Sequence, residues 1–403
     1  MNYSIDDVLQ YVEEEDVKFI RIAFCDVFGT PKNVSVMPHE LERAFEYGVS
    51  IDASAIKGFG GEIYSDLLLH PEPETLMWLP WRPEHGKVVR MFSHITYPDG
   101  TPFECDTREL LRNAVRDAKK LGYEFTFGAE QEFYLFKLDD RGEPTGEPYD
   151  RAGYMDVAPL DKCENIRREI CLTLEQMGIM PESSHHEEGP GQCEVDFRYG
   201  EPLEAADNAM TFQSVVKAVA ARNGLCADFT PKPLEGRPGN GFHINVSLKD
   251  GMSDTRMDHM IGGLLKNIRA MTLFLNPREA SYERFGRDKA PSKISWSREN
   301  RSQLIRVPAA PCGNRRIELR SPDPLANPYL AFALTIYACL DGLSSKIGPG
   351  LPAEVNLYNS PAGELDKYGD LPADIREAAG CASEDAFIRS IICGGILDIY
   401  RGE

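Results

Sequence analysis

Residues 125–138 read Phe125-Thr126-Phe127-Gly128-Ala129-Glu130-Gln131-Glu132-Phe133-Tyr134-Leu135-Phe136-Lys137-Leu138, an apolar stretch with two glutamates set two positions apart. Side chains alternate along a strand, so Glu130 and Glu132 share one face while Phe133 and Leu135 take the other. Three further segments repeat the pattern. In Cys193 to Tyr199, Glu194, Asp196 and Arg198 alternate with Val195 and Phe197; in Phe242 to Leu248, His243, Asn245 and Ser247 alternate with Ile244, Val246 and Leu248. In Arg315 to Ser321, Arg316, Glu318 and Arg320 alternate with Ile317 and Leu319. One such segment alone reads as a sheet with one wet face. Four together carry Glu, His and Arg with Lys almost missing, which is not the composition of a solvated face. Carboxylates crowded on one surface repel unless neutralised, and hard divalent cations with oxygen and imidazole ligands neutralise them. The four segments therefore predict a carboxylate-lined sheet that binds Mg²⁺ or Mn²⁺. Arginines beside such ions suit phosphate oxygens, which the guanidinium fork pairs bidentately. Metal plus arginine points to nucleotide phosphoryl chemistry.

Neither G-x-x-x-x-G-K-[ST] nor G-x-G-x-x-G occurs, and His185-His186-Glu187-Glu188 fails the H-E-x-x-H pattern because Pro190 stands where the second His is needed. The 403 residues suggest two domains. A net charge of −20, from 44 Lys and Arg against 64 Asp and Glu, disfavours wrapping around a nucleic-acid backbone. No apolar run reaches membrane length and the first residues lack a basic, then apolar, leader, so a cytoplasmic protein with no membrane partner is expected. Ten cysteines without a C-x-x-C pair are expected to be reduced thiols. The first hundred residues read as strand-rich, with apolar runs at Phe19 to Cys25 and Val88 to Thr96. The turn chemistry of Tyr97-Pro98-Asp99-Gly100-Thr101-Pro102 then places a domain boundary near 100, ahead of a helical pattern at Leu110, Leu111, Ala114, Val115 and Ala118. Asp161 with Glu164 has capping-box spacing before Ile166, Ile170, Leu174 and Met177, and Gly178 ends that stripe. Asn327-Pro328 starts another helix. Strict βαβ alternation is absent, so the fold class is α+β rather than a doubly wound sheet.

A specific resemblance joins these features. The chain resembles the glutamine synthetase family, of the type I bacterial kind, in six motifs that run in order. They are Ile51 to Phe59, Gly128-Ala129-Glu130-Gln131-Glu132-Phe133, and His185-His186-Glu187 with Gly191-Gln192-Cys193-Glu194. Gly241-Phe242-His243, Asn300-Arg301-Ser302 with Ile305 to Pro308, and Arg316 to Arg320 with Asn327 to Leu330 complete the series. The resemblance implies a β-grasp domain over 1–100 and, over 101–403, a catalytic domain of the glutamine synthetase and guanidino kinase type with a curved antiparallel sheet. It implies that Glu132, Glu187 and Glu194 hold one divalent metal and that Glu130, His243 and Glu318 hold another. Arg301, Arg306 and Arg316 match contacts to nucleotide phosphates, with Asn245 and Ser247 on the same nucleotide side. Arg284 and Arg320 match arginines that hold glutamate, as does the loop of Gly239. Asp52 matches an aspartate that one subunit contributes to its neighbour's ammonium site. The implied reaction is an ATP-dependent carboxylate–amine ligation through an acyl phosphate, with glutamate and ammonia or a small amine as substrates. A homo-oligomer is implied, a hexameric ring, while the short end at Tyr400 to Glu403 argues against assuming two stacked rings.

The chain also departs from that pattern. The segment Ser281 to Pro291 is one residue shorter than usual, and Lys289 stands where the family has a glutamate. A cation there would repel ammonium; Asp288 would substitute if the register shifts. Ala55 replaces a serine and Pro238 an asparagine. Three readings follow: a glutamine synthetase with a rearranged flap, a ligase for another amine or acid such as a γ-glutamyl-amine synthetase, or a non-catalytic nucleotide-binding regulatory homologue. A complete set of six metal-ligand residues favours a working ligase. A guanidino kinase, which shares the catalytic architecture, is disfavoured by the Asp52 motif and by His186-Glu187.

Overall fold

The computed structural model describes residues 3–61, 63, 65–82, 85–310 and 315–402. Cys312, one of the ten expected thiols, lies outside the described residues; nine cysteines among those described are unpaired by disulfides. The chain divides into two compact units, 1–110 with 175–178, and 111–174 with 179–403.

In the first unit, helix α1 (Ile5–Glu14) starts at Ser4, whose hydroxyl accepts from the Asp7 amide while the Asp7 carboxylate accepts from the Ser4 amide. Strands β1 (Val17–Cys25) and β2 (Pro31–Val36), helix α2 (Leu41–Tyr47), and strands β3 (Val49–Asp52), β4 (Asp66–Pro71), β5 (Met77–Trp78) and β6 (Lys87–Thr96) follow. The sheet order is β2-β1-β6-β4-β3, with β5 also on β6, and β1 runs parallel to β6. The two apolar runs read from sequence are thus its central strands, with Ile20, Ile22 and Val89 fully buried. This is a β-grasp sheet.

Helix α3 (Thr107–Lys120) spans the division. The second unit continues with β7 (Phe125–Leu138), β8 (Pro144–Pro148), α4 (Glu164–Gln176), β9 (Pro181–His186), β10 (Gln192–Phe197), α5 (Pro202–Arg222), β11 (Leu225–Asp228), β12 (Phe242–Leu248), α6 (Asp254–Leu275) and α7 (Glu279–Tyr282). After these come β13 (Lys293–Ile294), β14 (Trp296–Arg298), β15 (Ile305–Val307), β16 (Ile317–Leu319), α8 (Pro328–Ser345) and shorter elements to Arg401. A nine-stranded curled sheet runs β14-β15-β16-β12-β7-β10-β9, with β8 and β11 also on β7. Its pairs are antiparallel except β14 with β15. The apolar face of β7 and β12 packs on α5 and α8: Phe127 stacks on Phe332 with ring centroids 4.5 Å apart, and Phe133 meets Phe212 edge-on. Burying each such side chain contributes roughly 1.5–3 kcal/mol, so this aromatic layer fixes the phase of the strands and forces their polar residues to the opposite face.

Two local expectations change. Asp161 does not close a capping box with Glu164. It accepts from the Cys163 amide and pairs with Arg167 at 2.6 Å. The box does not form because the helix begins at Glu164 itself, which makes Glu164 the first helical residue and not the third. The segment read as a strand from Arg315 to Ser321 pairs only over Ile317–Leu319. Asn327 does cap α8, accepting from the Tyr329 amide at 3.0 Å.

Candidate active site

The polar face of the curled sheet opens into a cleft of about 310 Å³. It is lined by Glu130, Glu132, Glu187, Glu194, Asp196 and His243 together with Arg284, Arg301, Arg306, Arg316 and Arg320. Gly239, Asp288 and Lys289 also line it. The register explains the convergence: β12 pairs His243 with Glu130 and Asn245 with both Gly128 and Glu318, while β10 pairs Glu194 with Glu132.

Two donor sets suit a divalent cation. Glu130, His243 and Glu318 bring ligand atoms within 4.8 Å of one another, as do His185, Glu187 and Glu194. His243 Nδ1 lies 3.6 Å from Glu130 and 3.8 Å from Glu318. The first set is the trio expected from the family pattern. In the second, His185 joins Glu187 and Glu194, whereas Glu132 is engaged by the Gly241 amide at 2.7 Å and by Gln192 at 3.3 Å. A third trio, Glu130, Glu194 and Asp196, adjoins both. Burial, with Asp196, Glu132, Glu130 and Glu187 around it, pushes the Glu194 carboxyl well above the usual range. Burial likewise raises Glu132, partly offset by His243. Such a set of oxygen and imidazole donors, electrostatically strained as it stands, fits hard divalent cations such as Mg²⁺ or Mn²⁺.

The arginines are held in place by the same residues. Glu318, almost wholly buried, accepts from Arg306 at 2.5 Å and from Arg320. Burial works against its charge, but Arg320, His243 and Arg306 together hold its carboxyl down at about 2. Arg316 donates to Asn245 at 3.1 Å, and Asn245 donates to Glu130 at 2.8 Å. Arg284, buried, donates to the carbonyls of Ser321 and Pro322. Gly239 is required beside it, since a Cβ there would lie 2.4 Å from the Pro231 carbonyl and 2.8 Å from Arg284. Ser247 donates to the Arg315 carbonyl. A second hollow of about 550 Å³, lined by Ser247, Gly128, Tyr199 and Arg315, shares Glu130, Asp196 and Arg316 with the cleft.

Asp52 belongs to the first unit, where its carboxylate accepts from the Ser54 amide and hydroxyl at the head of a short turn. Lys289 reaches the cleft, but as half of an ion pair with Glu188 and over the ring of Tyr154 at 5.4 Å. The repulsion of ammonium expected from a bare lysine is therefore reduced by its partner. Asp288 pairs with Lys232 at 3.0 Å.

Sequence reading left His185, Asp196, Glu188 and Tyr154 unassigned. Asp196 already stood on the polar face of its strand. Which of the adjacent histidines faces the cleft is set by the β9–β10 register: His185 pairs with Glu194, so His186 turns inward, where it binds Asp150 at 2.9 Å.

Comparison with known proteins agrees with this fold. The family model for the catalytic domain of glutamine synthetase matches residues 104–402, and that for its β-grasp domain matches 16–98. The chain is 46% identical to a glutamine synthetase of Methanosarcina mazei, covering 98% of this chain and 92% of that protein. It is 43% identical to one of Clostridium saccharobutylicum, covering 99% and 93%. Among solved structures, a GmaS/ADP complex superposes with a TM-score of 0.89 at 27% identity, covering 98% of this chain and 94% of that one.

Proposed function

The chain belongs to the glutamine synthetase family and is an ATP-dependent ligase that forms carbon–nitrogen bonds; on that premise we propose that it joins glutamate to ammonia through a γ-glutamyl phosphate. The observation that carries this reading is one cleft whose lining combines carboxylates of three metal-suited donor sets with five arginines. Residues 1–100 serve as the β-grasp domain and 101–403 as the catalytic domain.

Glu130, His243 and Glu318 hold one divalent cation, and Glu187 and Glu194 with His185 or Glu132 hold a second. Bound there, Mg²⁺ or Mn²⁺ offsets charge on the transferring phosphoryl group. Arg301, Arg306 and Arg316 pair with the ATP phosphates, and the nucleoside occupies the second hollow beside Ser247 and Tyr199. Arg284, Arg320 and the Gly239 loop hold the glutamate carboxylates. A carboxylate is a poor electrophile, so phosphorylation precedes amide formation. Asp52 from a neighbouring copy in a hexameric ring takes the proton that the ammonium must lose before it attacks.

The test is phosphate release from ATP with Mg²⁺ and glutamate, run in parallel with ammonia, methylamine and ethanolamine, with products identified by mass spectrometry. Glutamine formation supports the reading, and turnover confined to organic amines replaces it with a γ-glutamylamide ligase. The amine side yields a second expectation. Removing Lys289 frees Glu188 to attract a cation, so Lys289→Met is expected to lower the KM for ammonium about 2- to 5-fold, the scale of a partly exposed ion pair. An unchanged or raised KM would show that this pair does not tune the amine side.

A further inference from the structure

Beside the cleft lies a hollow of about 620 Å³ that the proposed reaction does not use. Its walls are the loop after β8, the turn between β9 and β10, and the loop ahead of β12. Glu188 lines both this hollow and the cleft, so the two share a wall at the Glu188–Lys289 ion pair.

The walls are fixed from behind. Asp150, buried, accepts from the Ala152 amide at 3.3 Å and from the Gly191 amide at 2.9 Å, which ties the loop after β8 to the β9–β10 turn. The Tyr134 hydroxyl donates to the Pro238 carbonyl at 2.6 Å, one residue from Arg237, and a Cβ on Gly189 would lie 1.9 Å from that same hydroxyl. The turn and the loop ahead of β12 thus close on one tyrosine. A pocket held in this way needs little rearrangement to bind a ligand.

Five charged side chains line the hollow, and two of them are already paired. Glu147 pairs with Lys137 at 2.5 Å, with Arg151 acting on it only at longer range, and Glu188 pairs with Lys289. Arg151, Arg237 and Glu235 make no ion pair among the described residues. Two guanidinium groups and one carboxylate therefore remain, and their complement is a ligand with two carboxylates and one ammonium. Pro148, Pro190 and Leu234 supply apolar surface for a short hydrocarbon stem.

We propose that this hollow is an outer binding site for an α-amino dicarboxylate, which is glutamate on the reading of the reaction given above, held beside the cleft. Each arginine takes one carboxylate through its planar fork, and Glu235 takes the ammonium. Glutamine, with one carboxylate, leaves an arginine unmatched; glutarate, with no ammonium, leaves Glu235 unmatched. The site therefore favours the acid substrate over its amide product. All three side chains are exposed, so binding is weak and falls as salt is added.

The test labels the full-length protein with phenylglyoxal, which modifies accessible arginines, over a range of glutamate, glutamine or glutarate concentrations without ATP. Labelling of Arg151 and Arg237 is read by peptide mass spectrometry. Glutamate is expected to protect both arginines, with half-protection at a concentration about 10-fold lower than for glutamine or glutarate. In Glu235→Gln the half-protecting glutamate concentration is expected to rise about 10-fold while kcat for amide formation stays unchanged. Absence of protection, equal protection by glutamine or glutarate, or an unchanged half-protecting concentration in Glu235→Gln would each overturn the proposal. A parallel assay for glutamine keeps the two readings apart: protection without turnover leaves the outer site standing and removes the reaction, and turnover without protection does the reverse.

Discussion

Replacing Glu318 with alanine is expected to abolish ATP-dependent amide formation and to weaken the fold of the second unit at the same time. Glu318 is 2% exposed and its two oxygens hold Arg306 and Arg320, with His243 3.8 Å away. Truncation removes one donor for the expected cation and leaves two guanidinium groups facing the cleft without their carboxylate. Turnover is expected to fall by roughly 10³-fold or more, the scale on which single partners of transition-state charge act. Stability is expected to fall by about 3 kcal/mol, as when one member of a buried ion pair is removed. Glu318→Gln separates the effects: it keeps the shape and one acceptor, so it recovers much of the stability but little of the activity. Steady-state phosphate release and urea titration of both variants give the two numbers. Turnover within tenfold of wild type in Glu318→Gln would remove Glu318 from the metal and arginine assignments.

The second large effect concerns the helices behind the sheet. Helices α6 and α8 approach so closely that a Cβ on Gly263 would lie 2.1 Å from the Ala338 carbonyl and 2.7 Å from the Gly342 amide nitrogen. A Cβ on Gly342 would in turn lie 2.0 Å from the His259 carbonyl. The obstruction is backbone on both sides, which cannot rotate away as a side chain can. Gly263→Val must therefore push α6 off α8, loosening Phe332 where it stacks on Phe127 beneath the catalytic strands. A loss of about 3 kcal/mol or more is expected, at the upper end of overpacking costs, measured as a lowered urea midpoint. A variant with an unchanged midpoint would show that the helices are free to separate.

The strands were legible in the sequence where alternation alone determines them. Phe125–Leu138 and Phe242–Leu248 have the bounds that the alternating pattern marks, because the aromatic layer of Phe127, Phe133 and Phe242 needs every second residue. The Arg315 to Ser321 pattern ran further than the ladder does, since cleft arginines can alternate without being paired. Convergence of Glu130, His243 and Glu318 was likewise implied, each lying on the polar face of its own strand.

Long-range partners were not legible. Lys289 meets Glu188 across 101 positions, and nothing local in either segment marks the pair. The place of His185 beside Glu187 and Glu194, and the hydrogen bond that Glu132 accepts from the Gly241 amide across 109 positions, follow from strand pairing and not from either local sequence. The choice between His185 and His186 depends on strand phase, which Asp150, 36 positions earlier than His186, helps to fix.

Activation of a carboxylate by phosphorylation, before an amine attacks it, is the step this cleft is proposed to carry out. It is tested most directly with glutamate carrying ¹⁸O in its γ-carboxylate, turned over with ATP, Mg²⁺ and ammonia, followed by mass spectrometry of the phosphate. If the γ-carboxylate takes the phosphoryl group, the oxygen bridging carbon and phosphorus leaves with phosphorus, and each phosphate formed alongside glutamine carries one ¹⁸O. Glutamine formed with unlabelled phosphate, or phosphate released with no amide product, would contradict the account.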